Sequence, residues 1–133
     1  MKLIEILDIE TSADNRGIAI RPVSDEELQK KNIFNLHIVS LKPGVVRGNH
    51  YHQYQNEIIC IFGSRCRVVA VDNKTGRRED EIIEEERNVL LKVPTNVTHA
   101  LKNIGNGILY LLCYSDRKYD SENYDAVANK VLD

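Results

Sequence analysis

The 133-residue chain contains no CxxC pair and only three cysteines, Cys60, Cys66 and Cys113. An odd number without regular spacing argues against a disulfide framework, and the missing CxxC argues against a thiolate zinc knot. Each cysteine sits in an apolar run, as expected of a reduced, buried thiol. No apolar stretch approaches the roughly 18 residues that a membrane span needs. The first run, MKLIEILDIE, is interrupted by acidic residues and does not read as a signal peptide. A cytoplasmic protein with no membrane partner is expected. Positive charge is not in excess: 18 Lys and Arg face 20 Asp and Glu, a net charge of −2. Nucleic acid is therefore not an expected partner, and an anionic ligand would depend on local basic groups. Internal repeats and low-complexity segments are absent as well. A chain of this length, read as one domain over residues 1–133, can bury roughly 65–70% of its unfolded surface.

What the chain does have is a succession of short β runs. Leu3 to Ile9 alternates loosely, and Asp14-Asn15-Arg16-Gly17 is a turn before a second run, Gly17 to Ile20. Ser24 with Glu27 has the form of a capping box, which predicts a helical turn or two over 24–31. From Phe34 the period becomes two, until Pro43-Gly44 ends the run. Glu57–Phe62 and Arg65–Val71 are β-rich and separated by Gly63-Ser64. Ile82-Ile83 lies among acidic residues and reads as an edge. Val89–Val93 is closed by Pro94; Thr98–Lys102 and Ile108–Tyr114 hinge at Gly105-Asn106-Gly107. The charged tail from Ser115 is expected to end in a short helix. About nine or ten strands with frequent turns predict an all-β sandwich or barrel of antiparallel strands, with one or two short helices.

The chemistry gathers in two stretches. Gly44 to Gly63, GVVRGNHYHQYQNEIICIFG, holds His50, His52 and Glu57; Pro94 to Asn103, PTNVTHALKN, holds His99. Side chains two apart on a strand share a face, so His50 and His52 point the same way. Three imidazoles and one carboxylate suit Zn, Mn, Fe, Co or Ni, with positions left open for water or substrate. The same groups can instead act as acids and bases, with Glu57 raising the imidazole pKa values. The fourth histidine, His37, reads as structural or exposed, and Tyr51, pointing away from His50, as packing.

The two stretches resemble the two cupin motifs. The pattern is Gly44-x5-His50-x-His52-x4-Glu57-x5-Gly63, then Pro94-x-Asn96-x2-His99-x3-Asn103. The resemblance covers about residues 36–114 and implies a cupin jelly roll whose barrel core spans about 34–115. All four of the family's usual metal-ligand positions are filled, by His50, His52, Glu57 and His99. Asn96 stands where the second motif usually has Gly; Asn also tolerates a left-handed backbone. One residue fewer than usual separates Glu57 from Gly63, which implies a tighter hairpin.

Within the cupins, Asp14-x-Arg16-Gly17, Val46-Arg47-Gly48-Asn49-His50-Tyr51 and Leu109-Tyr110 are similar to segments of the dTDP-4-dehydrorhamnose 3,5-epimerases. That likeness implies His50 as the base beside a keto group, Tyr110 as the acid on the opposite face, and Arg16 and Arg47 as phosphate holders. The sugar 3,4-ketoisomerases, which use both histidines as acid–base groups without a metal, are similar in the R-G-x-H-x-H segment, in Gly63-Ser64-Arg65-Cys66 and in the Tyr119–Asp125 tail. The cupin domain of some capsule-sugar reductases has a nearly identical R-G-N-H-Y-H segment and binds metal. Together these imply an isomerase or epimerase of a nucleotide-linked keto-deoxy-sugar, carrying one divalent ion or none. A homodimer is expected because edge strands need cover. The alternatives are a metal-dependent oxygenase of a small molecule and a non-catalytic sugar- or metabolite-binding cupin.

Overall fold

In the computed structural model, which describes residues 1–133, the β runs become β1 (Glu5–Asp8), β2 (Thr11–Asp14), β3 (Gly17–Ile20), β4 (Phe34–Leu41), β5 (Val46–His52), β6 (Glu57–Phe62), β7 (Cys66–Asp72), β8 (Arg78–Ile83), β9 (Val89–Val93), β10 (Val97–Asn103), β11 (Leu109–Ser115) and β12 (Ala126–Ala128). One helix, α1 (Asp25–Gln29), lies between β3 and β4. It starts where the capping signal places it: the Ser24 hydroxyl accepts from the Glu27 backbone N–H at 3.1 Å. No helix is long and apolar enough to cross a membrane.

The strands form two five-stranded antiparallel sheets. One has the order β1-β9-β6-β11-β4, the other β12-β5-β10-β7-β8. This is the expected jelly roll. Neighbours in space are mostly distant in sequence, so the apolar alternation, rather than local turns, sets the register. Inward positions of β6, β7, β10 and β11 supply the core, with Ile61, Val68, Leu101 and Leu109 each at most 2% exposed. Burying each such side chain contributes about 1.5–3 kcal/mol. Along the inner faces of β6 and β10 the polar residues Glu57 and His99 give way to Ile59, Ile61 and Leu101. One end of the barrel is therefore a dry core and the other a polar chamber.

Asn103 ties the dry end together. Its amide donates to the carbonyls of Leu41 and Gly107, both at 2.8 Å, and its oxygen accepts from Ser64 Oγ at 2.9 Å and the Gly105 N–H at 3.0 Å. Every polar atom of this fully buried side chain is thereby satisfied. Asn96 adopts φ 63°, the left-handed turn its place in the motif calls for.

One expectation needs correction. The tail ends in no helix; residues after β11 run irregularly and return as β12, which pairs with β5 through Ala126↔His52 and Ala128↔His50. Asn49 captures the chain beyond β12: its side chain accepts from the Val131 and Leu132 N–H groups and donates to the Leu132 carbonyl, all at 2.9–3.0 Å. These backbone bonds and the packing of Leu132 on Val69 and Ala100 hold the segment in an extended path across the sheet. The Asp14–Gly17 turn, moreover, closes a separate two-stranded ribbon, β2-β3, whose first strand the composition did not reveal.

Candidate functional site

His50 and His52 enter the chamber from β5, His99 from β10 and Glu57 from the first residue of β6. One donor atom from each of the four lies within 4.8 Å of the others. The His50 ring meets His99 edge-on at 4.8 Å between centroids and His52 at 5.0 Å. Glu57 stands between two imidazoles, with Oε2 3.3 Å from His52 Nε2 and Oε1 3.4 Å from His99 Nε2.

A β-bulge gives β5 its reach. His50 pairs with His99, but the next pair is Gly48 with Ala100, so Asn49 is the extra residue, at φ 53°. In a regular strand, residues 47 and 50 would face opposite sides. The bulge turns both Arg47 and His50 into the barrel. Gly48 is required beside it: at φ 95°, a Cβ there would lie 2.7 Å from the His99 carbonyl oxygen.

The tail completes the site. Asp125, only 8% exposed, accepts from the backbone N–H groups of Gln53, Tyr54 and Gln55 at 3.1, 2.8 and 3.2 Å. Its Oδ2 also lies 3.3 Å from His52 Nδ1. Asp116 accepts from the Asn56 N–H and side-chain amide, both at 2.9 Å. Two tail carboxylates thus hold the loop that leads from His52 to Glu57. Arg117 lies 3.5 Å from Asp125 and over the Tyr54 ring. Asp125 and Arg117 were not singled out: the Tyr119–Asp125 segment was noted for its likeness, but no local pattern shows that Asp125 folds back onto residues 53–55 or that Arg117 accompanies it.

Two cavities open on the cluster, of about 180 and 170 Å3. The first is polar and roofed by the tail; the second has Arg47 on a partly apolar wall that includes Val39, Ile59 and Leu111. Three residues line both: His37, His50 and Glu57. His37, expected to be structural or exposed, is thus an exposed residue at the centre of the site.

The predicted site residues divide accordingly. His50, His52, Glu57, His99 and Arg47 come together. Arg16 does not: it sits at the β2-β3 turn, 87% exposed and paired with Asp14, and lines neither cavity. Tyr110 does not either. Its strand neighbours Leu109 and Leu111 fill the core, so the Tyr110 ring lies outside the barrel, 39% exposed and stacked on Phe62 at 5.5 Å. The L-Y dipeptide is present, but strand parity points this ring away from the chamber.

Electrostatics separate the imidazoles. Burial, then the neighbouring His99 and His52, push His50 down to about 4. At His52 burial also favours the neutral ring, but Glu57 and Asp125 outweigh it and raise the pKa. At Glu57 burial opposes ionisation, but His52 and His99 outweigh it and hold the carboxyl well below its usual range. Neither nitrogen of the buried His52 ring makes a hydrogen bond of full geometry. An under-satisfied imidazole beside a second one and a carboxylate is a donor set that fits a divalent ion. The thiols do not contribute: burial pushes Cys60 to about 11 and Cys66 and Cys113 to about 12, leaving them unreactive at neutral pH.

Two antiparallel sheets enclosing three imidazoles and a carboxylate at one end define a cupin jelly roll. The chain belongs to the polysaccharide biosynthesis C-terminal domain family, whose model matches residues 12–127. It is 23% identical over 124 residues to a Pseudomonas aeruginosa UDP-2-acetamido-2,6-beta-L-arabino-hexul-4-ose reductase, with 93% of this chain covered. The chain spans about a third of that relative, 32%. The Bacillus subtilis spore coat polysaccharide biosynthesis protein SpsL is 23% identical over 127 residues, covering 92% of this chain and 84% of that protein. The fold is shared with a dTDP sugar isomerase from Desulfovibrio desulfuricans, at TM-score 0.81 and 12% identity over 96% of this chain and 83% of that one.

The pKa directions make opposing contributions to stability. The depressed His50 stabilises the fold above its unfolded value of 6.5, and this is lost as pH falls towards 4. Glu57, also depressed, contributes above 4.5 and its share is lost on further acidification. The raised His52 contributes below 6.5 and its share fades as pH rises through its folded pKa. In chelator-treated protein, NMR titration is expected to place His50 near 4 and His52 above 6.5. Thermal stability should decline from pH 7 to 4, and His50→Asn should remove roughly 1–2 kcal/mol of that decline after allowing for solvent screening. A His50 midpoint at or above 6.5 would contradict this assignment.

Proposed function

We propose that this protein is an isomerase or epimerase of a nucleotide-linked keto-deoxy-sugar, acting by proton transfer at the carbon next to the carbonyl. The observation that carries the reading is the bulged β5 strand, which presents an uncharged imidazole, His50, and a guanidinium, Arg47, to one cavity. A neutral ring is free to accept a proton at ordinary pH, and its low pKa makes it a weak base that needs the carbonyl polarised. Arg47 donates through Nε to the Ser40 carbonyl at 3.0 Å, which leaves the rest of its fork for phosphate oxygens. The family, and the relatives named for sugar reduction and spore-coat polysaccharide, support a substrate of this class.

His52, Glu57 and His99, with His50 beside them, would hold a divalent ion. Three such ligands already make a site with open positions. When bound, the ion would polarise the sugar carbonyl and acidify the neighbouring C–H. A ring nitrogen cannot hold an ion and accept a proton at once, so His50, which opens on both cavities, is assigned to the proton. Asp125 orients His52, and the tail shields the chamber from bulk water. A small-molecule oxygenase has no comparable use for Arg47, and a non-catalytic binding cupin has none for a neutral His50 beside it.

A homodimer belongs to the same proposal. β4 is an edge strand whose outward Leu36 and Ile38 are 61% and 60% exposed, next to the outward Tyr110. An apolar edge of this length favours cover by a second copy. Sedimentation is expected to show a dimer that Ile38→Glu converts to monomer; a wild-type monomer at micromolar concentration would remove this part of the proposal.

Incubation with dTDP- and UDP-linked 4-keto-6-deoxyhexoses in deuterated water tests the reaction. Deuterium is expected to enter beside the carbonyl, and His50→Ala should slow its entry by about 100-fold or more. Wild-type protein that exchanges no hydrogen with either substrate would refute the assignment.

A further inference from the structure

We infer that His37 is the second proton-transfer residue of this site, standing on the wall opposite His50, so that the reaction it serves inverts the carbon. This role rests on the proton-transfer reading of the same site. Four observations carry it.

The first is position. His37 belongs to β4, an outer strand of one sheet, and His50 to β5 of the other. His37 pairs with Cys113 of β11, a core-facing residue, so its ring is on the inward side of β4. The two imidazoles therefore approach the chamber from facing sheets. The second is the cavity plan. The polar cavity and the Arg47 cavity meet at His37, His50 and Glu57. A substrate with its phosphates towards Arg47 and its sugar towards the tail would place its reacting carbon at that junction.

The third is tautomer. His37 Nδ1 lies 2.7 Å from the Asn35 carbonyl oxygen. A carbonyl only accepts, so the neutral ring carries its hydrogen on Nδ1 and offers a lone pair at Nε2. Asn35 adopts φ 53°, a left-handed conformation uncommon inside a strand, and its carbonyl orients the ring. The fourth is elimination. His52 and His99 are engaged with Glu57, and Tyr110 is outside the barrel. Lys118, Tyr119 and Tyr124 line the polar cavity alone, so His37 is the remaining proton carrier at the junction of the two.

The step balances. His50 takes the proton from the carbon beside the carbonyl; the C–H pair forms the C=C bond of an enolate, and the carbonyl π pair moves to oxygen. His37, protonated from water at Nε2, then gives its proton to the opposite face of that carbon. Its N–H bond breaks, a new C–H bond forms and the carbonyl returns. His50 releases its proton to water, and no oxidant or reductant is consumed.

The test separates exchange from inversion. His37→Asn preserves a donor towards the Asn35 carbonyl and leaves His50 in place. With the two 4-keto-6-deoxyhexose nucleotides in deuterated water, the variant is expected to keep deuterium entry within about 3-fold of wild type. Its formation of inverted sugar should fall by about 100-fold or more. A circular dichroism melt matching wild type accompanies the assay, since a merely structural role would lower both rates together. Inversion at the wild-type rate in the variant, equal loss of both rates, or wild-type exchange with full retention of configuration would each overturn the role of His37 while leaving the parent reading intact. Absence of any exchange in wild type would overturn both. A substrate-free readout stands beside these: ring nitrogen shifts of neutral His37 should report the Nδ1–H tautomer, and the Nε2–H tautomer would contradict the assignment.

Discussion

A single, largely buried carboxylate shared between two imidazoles organises this protein. Glu57 is 13% exposed at its side chain and sits within 3.4 Å of ring nitrogens from two different strands, β5 and β10. A charge so placed is costly to desolvate unless partners compensate it. The rest of the local structure supplies those partners and holds them. The Asn49 bulge aims β5, Gly48 lets that strand approach β10, and Asp125 and Asp116 fix the four-residue loop that delivers Glu57. The same carboxylate helps to separate the imidazoles, since it raises His52, while burial and then the other rings push His50 to about 4. Inequivalent imidazoles a few ångströms apart suit a site in which one group binds and another exchanges protons.

Much of this was legible in the sequence, for identifiable reasons. Val89–Val93 was bounded correctly because an apolar run meets a proline, and β4 because its period is two over eight residues. His50, His52, Glu57 and His99 were found because motif spacing encodes strand parity: two apart on one strand, and the equivalent place on another. Asn96 kept its left-handed turn because Asn tolerates what the family's glycine supplies.

The remainder depends on geometry that no local pattern carries. Tyr110 occupies the right dipeptide on the wrong face, since the parity of β11 is fixed by Leu109 and Leu111 packing into the core. Arg16 occupies the right turn at the end of a ribbon that stands apart from both sheets. His37 looked incidental because its partners are a carbonyl two residues away and a cavity formed by distant strands. The tail read as charged and ending in a short helix; what makes that segment structural is the capture of backbone N–H groups of residues 53–55 by Asp125, and of Val131 and Leu132 by Asn49. Bulges, parity and long-range capping are tertiary choices that override propensity.

The most direct measurement of the central claim, that Glu57 with its imidazoles forms one ion-holding unit, is a cobalt(II) titration of chelator-treated protein followed by visible absorption. Saturation is predicted at one ion per chain, with a visible spectrum that is lost when Glu57→Gln removes the carboxylate. No cobalt spectrum in the wild type, or an undiminished one in the variant, would contradict it.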